Sequence, residues 1–362
     1  MSAEAQPSAS PTAVLLRLAR PGGGVELLVL TAGAILLALA LFGAFVAALG
    51  ADPWAVYRMI VFGAFGTRFS IENTLAQAGP IMLTALCTLI PARVGLLVIG
   101  GEGAVVLGGL GAAVAGVALT GLGPWPGLLV CLIAGTITGA AWIACVGALR
   151  LKREVNETIS SLLFNYLAIA IFLHLTNGPF RDYTQVLKPQ TAPVPTDWMI
   201  GDLPELSVHW GLVIGAGICL MLGLFLRSTT TGFAWEVIGG NRRAAQAVGL
   251  PVGRMMLLAC ALGGAAAGLA GAIEVMAVHG AASESLIVRY GYTGILVAFL
   301  ARQNPVLVIP VALLLGGISA SGGLLQRRFD LPDAATDVLQ GLIFLCVLAS
   351  NTLAGRLFPG PK

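Results

Sequence analysis

The chain carries 17 acidic and 20 basic residues among 362, so each ionisable group inside an apolar run is a candidate for chemistry. Glu102 is one such group. It sits mid-run in VIGGEGAVVLGG, residues 98–109, with glycines on both sides. A carboxylate at membrane depth is expensive, and glycines permit helix breaks whose free amides can satisfy it. Two uses fit: a discontinuous helix beside a translocation path, or a buried, hydrogen-bonded structural anchor. The segment EVNETISSLLFNY, residues 154–166, gathers a second set: Asn156, Glu157, Asn165 and Tyr166. Glu157 and Asn165 are about two helical turns apart and share a face, with Ser161 between them. Such a stripe lines a path, or it makes hydrogen bonds between helices. Glu274, near the end of a later apolar run, is a weaker candidate of the same kind.

A third polar stretch, RSTTTGFAWEVIGGNRRAAQAVGLPVGR at 227–254, carries Arg227, Arg242, Arg243 and Arg254 against Glu236 alone. It reads as two short helices hinged at Gly240. Asn241 suits the N-cap of the second, Gly249 the left-handed position after it, and Pro251 prevents continuation. The second helix is expected to expose Ala244, Ala245, Ala247 and Val248. A compact helix pair of this kind fits a partner's groove, or it simply connects two spans.

Several chemistries are excluded. No GxxxxGK[ST] occurs, and none of the lysines, Lys152, Lys188 and Lys362, follows a glycine-rich loop, so ATP hydrolysis by that route is absent. The run at 100–103 fails as a dinucleotide loop because Val106 replaces the third glycine. His174, His209 and His279 are far apart and interfacial, not a metal set. No catalytic triad or carboxylate pair has a local signature. The six cysteines lie within apolar runs without a CxxC pair, as packing residues. No catalytic residue, metal, directly bound cofactor or nucleic-acid partner is expected.

The elements that must position these residues are membrane helices. The chain is 57% hydrophobic and 10% charged with 48 glycines, and its mean hydropathy is +0.91, far from the usual soluble mix. An all-α, polytopic membrane protein follows, with about ten transmembrane helices, some discontinuous. The apolar runs lie at 25–49, 75–90, 96–120, 127–149, 159–175, 211–226, 255–278, a short one around 294–301, 306–319 and 335–354. Residues 51–73 read as an interfacial segment, and 25–49 is too long for a signal-peptide core. With the N-terminus inside, Arg58, Arg68, Arg181, Lys188, Arg289, Arg327 and Arg328 fall outside and the other thirteen basic residues inside, as the positive-inside rule favours. Both termini are then cytoplasmic. The expected organisation is an N-terminal tail (1–24), one transmembrane domain (25–356) and a C-terminal tail (357–362). Within the domain, 176–208 is an extracytoplasmic insertion and 227–254 a cytoplasmic loop.

The runs VNETISSLLFNYLA (155–168), TGFAWEVIGGNRRAAQAVGLPVGR (231–254), AGLAGAIEV (267–275) and DVLQGLIFLCVLA (337–349) resemble an ATP-binding-cassette importer permease. The match is to the branch handling nucleosides and simple sugars, and it leans toward nucleoside systems. The resemblance implies that the run 236–249, with Glu236, Gly240, Asn241, Arg242, Ala244, Ala245 and Gly249, docks into a separate ATPase subunit that uses the ATP. It also implies a second permease, identical or different, an extracytoplasmic solute-binding protein, a multi-pass location in the cell inner membrane, and alternating access. Relatives carry NIGxEGQ at the third span. Here Val98 and Ala104 replace its Asn and Gln, which weakens any inference about substrate. The rival reading is a secondary transporter or channel working without an ATPase.

Overall fold

The computed structural model describes residues 23–184, 188–332 and 334–357, with side chains between 32 and 350. The expected tails, with Arg17, Arg20 and Lys362, and the side chain of Arg356 lie outside the described residues. The elements in order are α1 (Gly23–Ala48), α2 (Pro53–Phe65), α3 (Arg68–Arg93), α4 (Gly101–Ala118), α5 (Pro124–Arg153), α6 (Glu157–Asn177), α7 (Gly211–Ser228), α8 (Thr230–Gly240), α9 (Arg242–Ala247), α10 (Val252–Glu274), α11 (Tyr290–Leu300), α12 (Pro305–Phe329) and α13 (Ala334–Leu357). The fold is all-helical. Among the described residues, seven helices are long and apolar enough to cross a membrane, or up to eight if the bent pair α1–α2 is one span.

Each expected apolar run contains a helix, and the departures have local causes. Asp52 caps α2 through Trp54 N, and Pro53 opens it, so part of the expected interfacial segment becomes a helix bent 115° from α1. Thr67 then caps α3 through Ser70 N, which starts that helix at Arg68, ahead of the apolar run. The 96–120 run is only partly helical: residues 94–100 are irregular, and α4 begins at Gly101. Conversely α12 runs ten residues past the expected end. Its polar Ser321 is buried and returns a hydrogen bond to Ile318 O at 2.6 Å, so the Ser and Gly residues there do not break it.

The helix α10 stands at the centre, packed on α3, α4 and α5. On α5 the positions Cys131, Gly135, Gly139, Ile143 and Gly147 recur every four residues and are buried, while Leu129, Ile133 and Ile137 on the other side are exposed. Gly264 and Gly268 of α10 meet that glycine face backbone to backbone; a Cβ on Gly268 would overlap the Gly135 carbonyl oxygen. This is close packing through small residues, which membrane helices use in place of hydrophobic exclusion.

Loops expected on one side of the membrane touch one another. On one side the insertion is fastened to the chain after α10, which closes in a single π turn (Val275–His279). Ile200 N donates to Met276 O at 2.8 Å, Val194 N to Gly280 O at 2.8 Å and Thr191 N to Ala282 O at 3.0 Å. Arg68 donates to Glu205 O on the same side. On the other side Arg93 donates to Gln303 O, and Arg150 pairs with Glu157 at 3.2 Å. Arg289 departs from its expected place. The sequence count put it in an outer loop, whereas the fold sets it against the middle of the bundle, because the short α11 starts there.

Replacing Gly268 by leucine will force α5 and α10 apart and lower stability by about 2–3 kcal/mol. Thermal unfolding in detergent reads this, with Gly217→Leu, whose Cβ would meet nothing within 4 Å, as the unaffected control.

Candidate functional site

The interior site forms where α4 and α11 begin. A helix start leaves backbone N–H groups unpaired, which a dry interior cannot tolerate. Glu102, 1% exposed and in the first turn of α4, resolves this for α11. Its Oε1 accepts from Arg289 N at 2.8 Å and its Oε2 from Gly291 N at 2.6 Å. Arg289, the N-cap of α11, adopts the left-handed region at φ 67° and so turns its amide to the carboxylate. Gly291 is required by closeness: a Cβ there would overlap the Glu102 backbone. Negative charge at a helix N-terminus is also favoured by the helix dipole.

Asn165 serves α4 in the same way. Its Oδ1 accepts from Gly103 N, and its Nδ2 donates to Tyr292 OH at 2.8 Å. The irregular segment 94–100 is tied by side chains on both flanks. Thr88 donates to Val98 O at 3.0 Å, Thr158 to Leu97 O at 3.1 Å, and Ser161 Oγ accepts from Ile99 N at 3.0 Å. Thr84 donates to Tyr290 O at 2.9 Å. Two helix starts therefore meet head to head at one carboxylate, and polar groups from α3 and α6 hold them.

The other expected path residues divide. Asn156 caps α6 through Thr158 N and Ile159 N. Glu157 is bound to Arg150 at the same end. Tyr166 is 61% exposed and points out of the bundle, away from the joint, because it is one position past Asn165 on the helix. Only Glu102 and Asn165 meet. Sequence reading missed Tyr292, Arg289 and Gln340, which approach the joint; the polar letters at 289–293 around Gly291 were its available signal. Glu274 is buried at the end of α10, 3.7 Å from His279.

The stretch at 227–254 forms a knuckle. Thr229 caps α8 through Gly232 N, and Trp235 is buried edge-on against Phe225 at 5.8 Å. Asn241 caps α9 through Ala244 N at 3.1 Å. Gly249 takes φ 83°. Arg242 Nη2 donates to Gly95 O at 2.7 Å. Burial pushes its guanidinium down, as does Arg150, while Glu157 opposes them. Gly239 lies directly on the Arg93 backbone. Glu236 is exposed and lies within electrostatic range of Arg93. The exposed apolar face comprises Ala244, Ala247, Val248 at 72%, and Phe233, which the sequence reading did not single out. Ala245 corrects the expectation: it is 0% exposed, facing inward as one residue of a single-turn helix seated on its own chain.

These features define a polytopic helical membrane protein whose interior helix breaks are of the kind transporters use. Residues 70–348 match the family described as branched-chain amino acid transport system / permease component, and the chain belongs to it. It is 29% identical to the glucose ABC transporter permease protein of Haloferax volcanii over 88% of this chain and 86% of that one. It is 27% identical to a guanosine ABC transporter permease protein of Bacillus subtilis, covering 88% and 92%. With a nucleoside ABC transporter permease protein of Lactococcus lactis the identity is 24%, covering 82% and 84%.

Glu102→Ala leaves two buried amides unpaired and will destabilise the protein by about 2–5 kcal/mol, read as a drop in Tm in detergent. Glu102→Gln keeps an acceptor and will lose less.

Proposed function

We propose that the chain is the transmembrane permease subunit of an ABC importer for a nucleoside or related simple sugar. An extracytoplasmic solute-binding protein delivers the cargo at the side of the insertion. Separate ATPase subunits dock on the knuckle in the cytoplasm, both termini lie on that same side, and the full count is ten spans in the cell inner membrane. A second permease, identical or different, completes the assembly. The names of the relatives support the cargo class, since glucose, guanosine and nucleoside permeases all align over most of this chain. The chain binds no cofactor of its own.

The observation that carries the mechanism is how the knuckle is attached. Arg242 holds Gly95, at the start of the irregular segment leading to Glu102. Arg93, beneath Gly239, holds Gln303 in the turn after α11. Movement of α8 and α9 therefore reaches both ends of α11: the inner end through Arg93, and the start through residues 94–100 and Glu102. Only about 16 Å long, α11 is short enough to tilt as a rod between these holds. Alternating access follows when ATP-driven closure of the partners shifts the knuckle and α11 pivots on the carboxylate.

The exposed knuckle residues test docking. Ala247→Arg and Val248→Asp will leave the subunit folded but lose copurification of the ATPase and reduce uptake about tenfold or more. Ala245→Arg will fail to fold and so does not probe docking. Arg242→Ala will keep the ATPase bound and hydrolysing while uptake falls. Normal assembly and uptake in both exposed variants, Ala247→Arg and Val248→Asp, would end the docking assignment. Uptake by the purified chain alone under an ion gradient would favour a secondary transporter.

A further inference from the structure

Between α11 and α13 lies an open groove of about 350 Å³, lined by Arg289, Tyr292, Thr293, Asp337, Gln340 and Phe344 among others. Arg289 Nη1 and Asp337 Oδ2 pair across it at 2.6 Å, with side chains 63% and 45% exposed. Its depth is fixed by Gln340. That residue donates to Ser319 Oγ at 2.8 Å and accepts from Thr293 at 3.3 Å. Ser319 is fourteen residues from the start of α12 and ten from its end, about 15–20 Å from either. Arg289 stands one length of α11, about 16 Å, from the turn after that helix, and Asp337 is in the first turn of α13, so the ion pair lies between the two ends of α12 on the outside of this chain.

An exposed ion pair at that depth does not face hydrocarbon; charged groups there face water or protein. The groove also adjoins the joint. Tyr292 is held by Asn165, and the backbone of Arg289 by Glu102. Glu102 is 1% exposed and both of its oxygens accept from backbone amides, so it is closed off from cargo by burial. Glu102 is thus a positioning residue, and the groups that it positions are the ones with spare valence.

We propose that this groove is the cargo-contacting wall of the translocation path, closed by the second permease, and that it takes a neutral ring bearing several hydroxyls. The proposal rests on the permease reading above and adds to it the site and the contacting residues. Asp337 accepts from hydroxyls and Arg289 donates to ring or hydroxyl oxygens. The apolar surfaces of Tyr292 and Phe344 cover the ring faces. The volume suits one nucleoside or hexose. Movement of α11 changes the distance between Arg289 and Asp337, which are on different helices, and so opens or closes the contact.

The test uses the assembled transporter, purified with its ATPase, partner permease and binding protein, in lipid vesicles, with radiolabelled guanosine and D-glucose as probes. Asp337→Asn is expected to raise KM for the transported probe about tenfold with the maximal rate within about twofold, a split that a merely structural loss would not give. Separately, Asp337→Cys is made in a chain whose non-buried cysteines, Cys145 and Cys346, are replaced by serine. A charged, membrane-impermeant thiol reagent is expected to label the introduced thiol, and the transported probe to slow the labelling. If the native complex moves a probe while Asp337→Asn is unchanged or the thiol stays unlabelled, the groove assignment is overturned and the permease reading stands. If the native complex moves neither probe, the cargo class falls, and this assignment of a hydroxylated ring with it.

Discussion

The structure depends on one carboxylate satisfying the start of a helix that begins inside the bundle. A half-length helix is forbidden in a bilayer unless its end groups find partners within the protein. Glu102 supplies both partners for α11, and Asn165 supplies the matching one for α4. Because α11 is allowed to start where it does, Tyr292 and Arg289 are held at mid-depth and the turn after α11 comes within reach of Arg93. The joint is the condition for the geometry on either side of it.

Two mechanical regimes coexist in the bundle. The contact between α5 and α10 is centred on glycine backbones, with Ile143 seated on Gly264 and Cys260 on Gly147 and no side-chain hydrogen bond among those contacts. The knuckle and the segment 94–100 are tied by directional hydrogen bonds from Arg242, Thr88, Thr158 and Ser161. Contacts without such bonds let helices slide, and directional ones carry a displacement without dissipating it in side-chain rearrangement. The two kinds of contact therefore differ in how firmly they fix their register.

Much of this was legible in the letters. The helical class, the glycine break around Glu102 and the caps of the knuckle are local facts of composition and spacing, and the structure has them where they were expected. The pairing of Glu102 with residues 289 and 291 was not legible. It joins positions almost two hundred residues apart, and nothing in either segment specifies the other. Ala245 shows the converse limit. On a one-turn helix the periodicity is too short to say which face is covered, and only the tertiary seat decides it. Tyr166 was grouped with Asn165 by adjacency, although neighbours on a helix point about a quarter-turn apart or more.

The Arg289–Asp337 pair also bears on how the chain sits in a bilayer. Wherever that pair met lipid, it would carry a penalty of about 2.5–3.5 kcal/mol for each charged group on insertion scales. The surface around the pair is therefore one that lipid alone covers poorly.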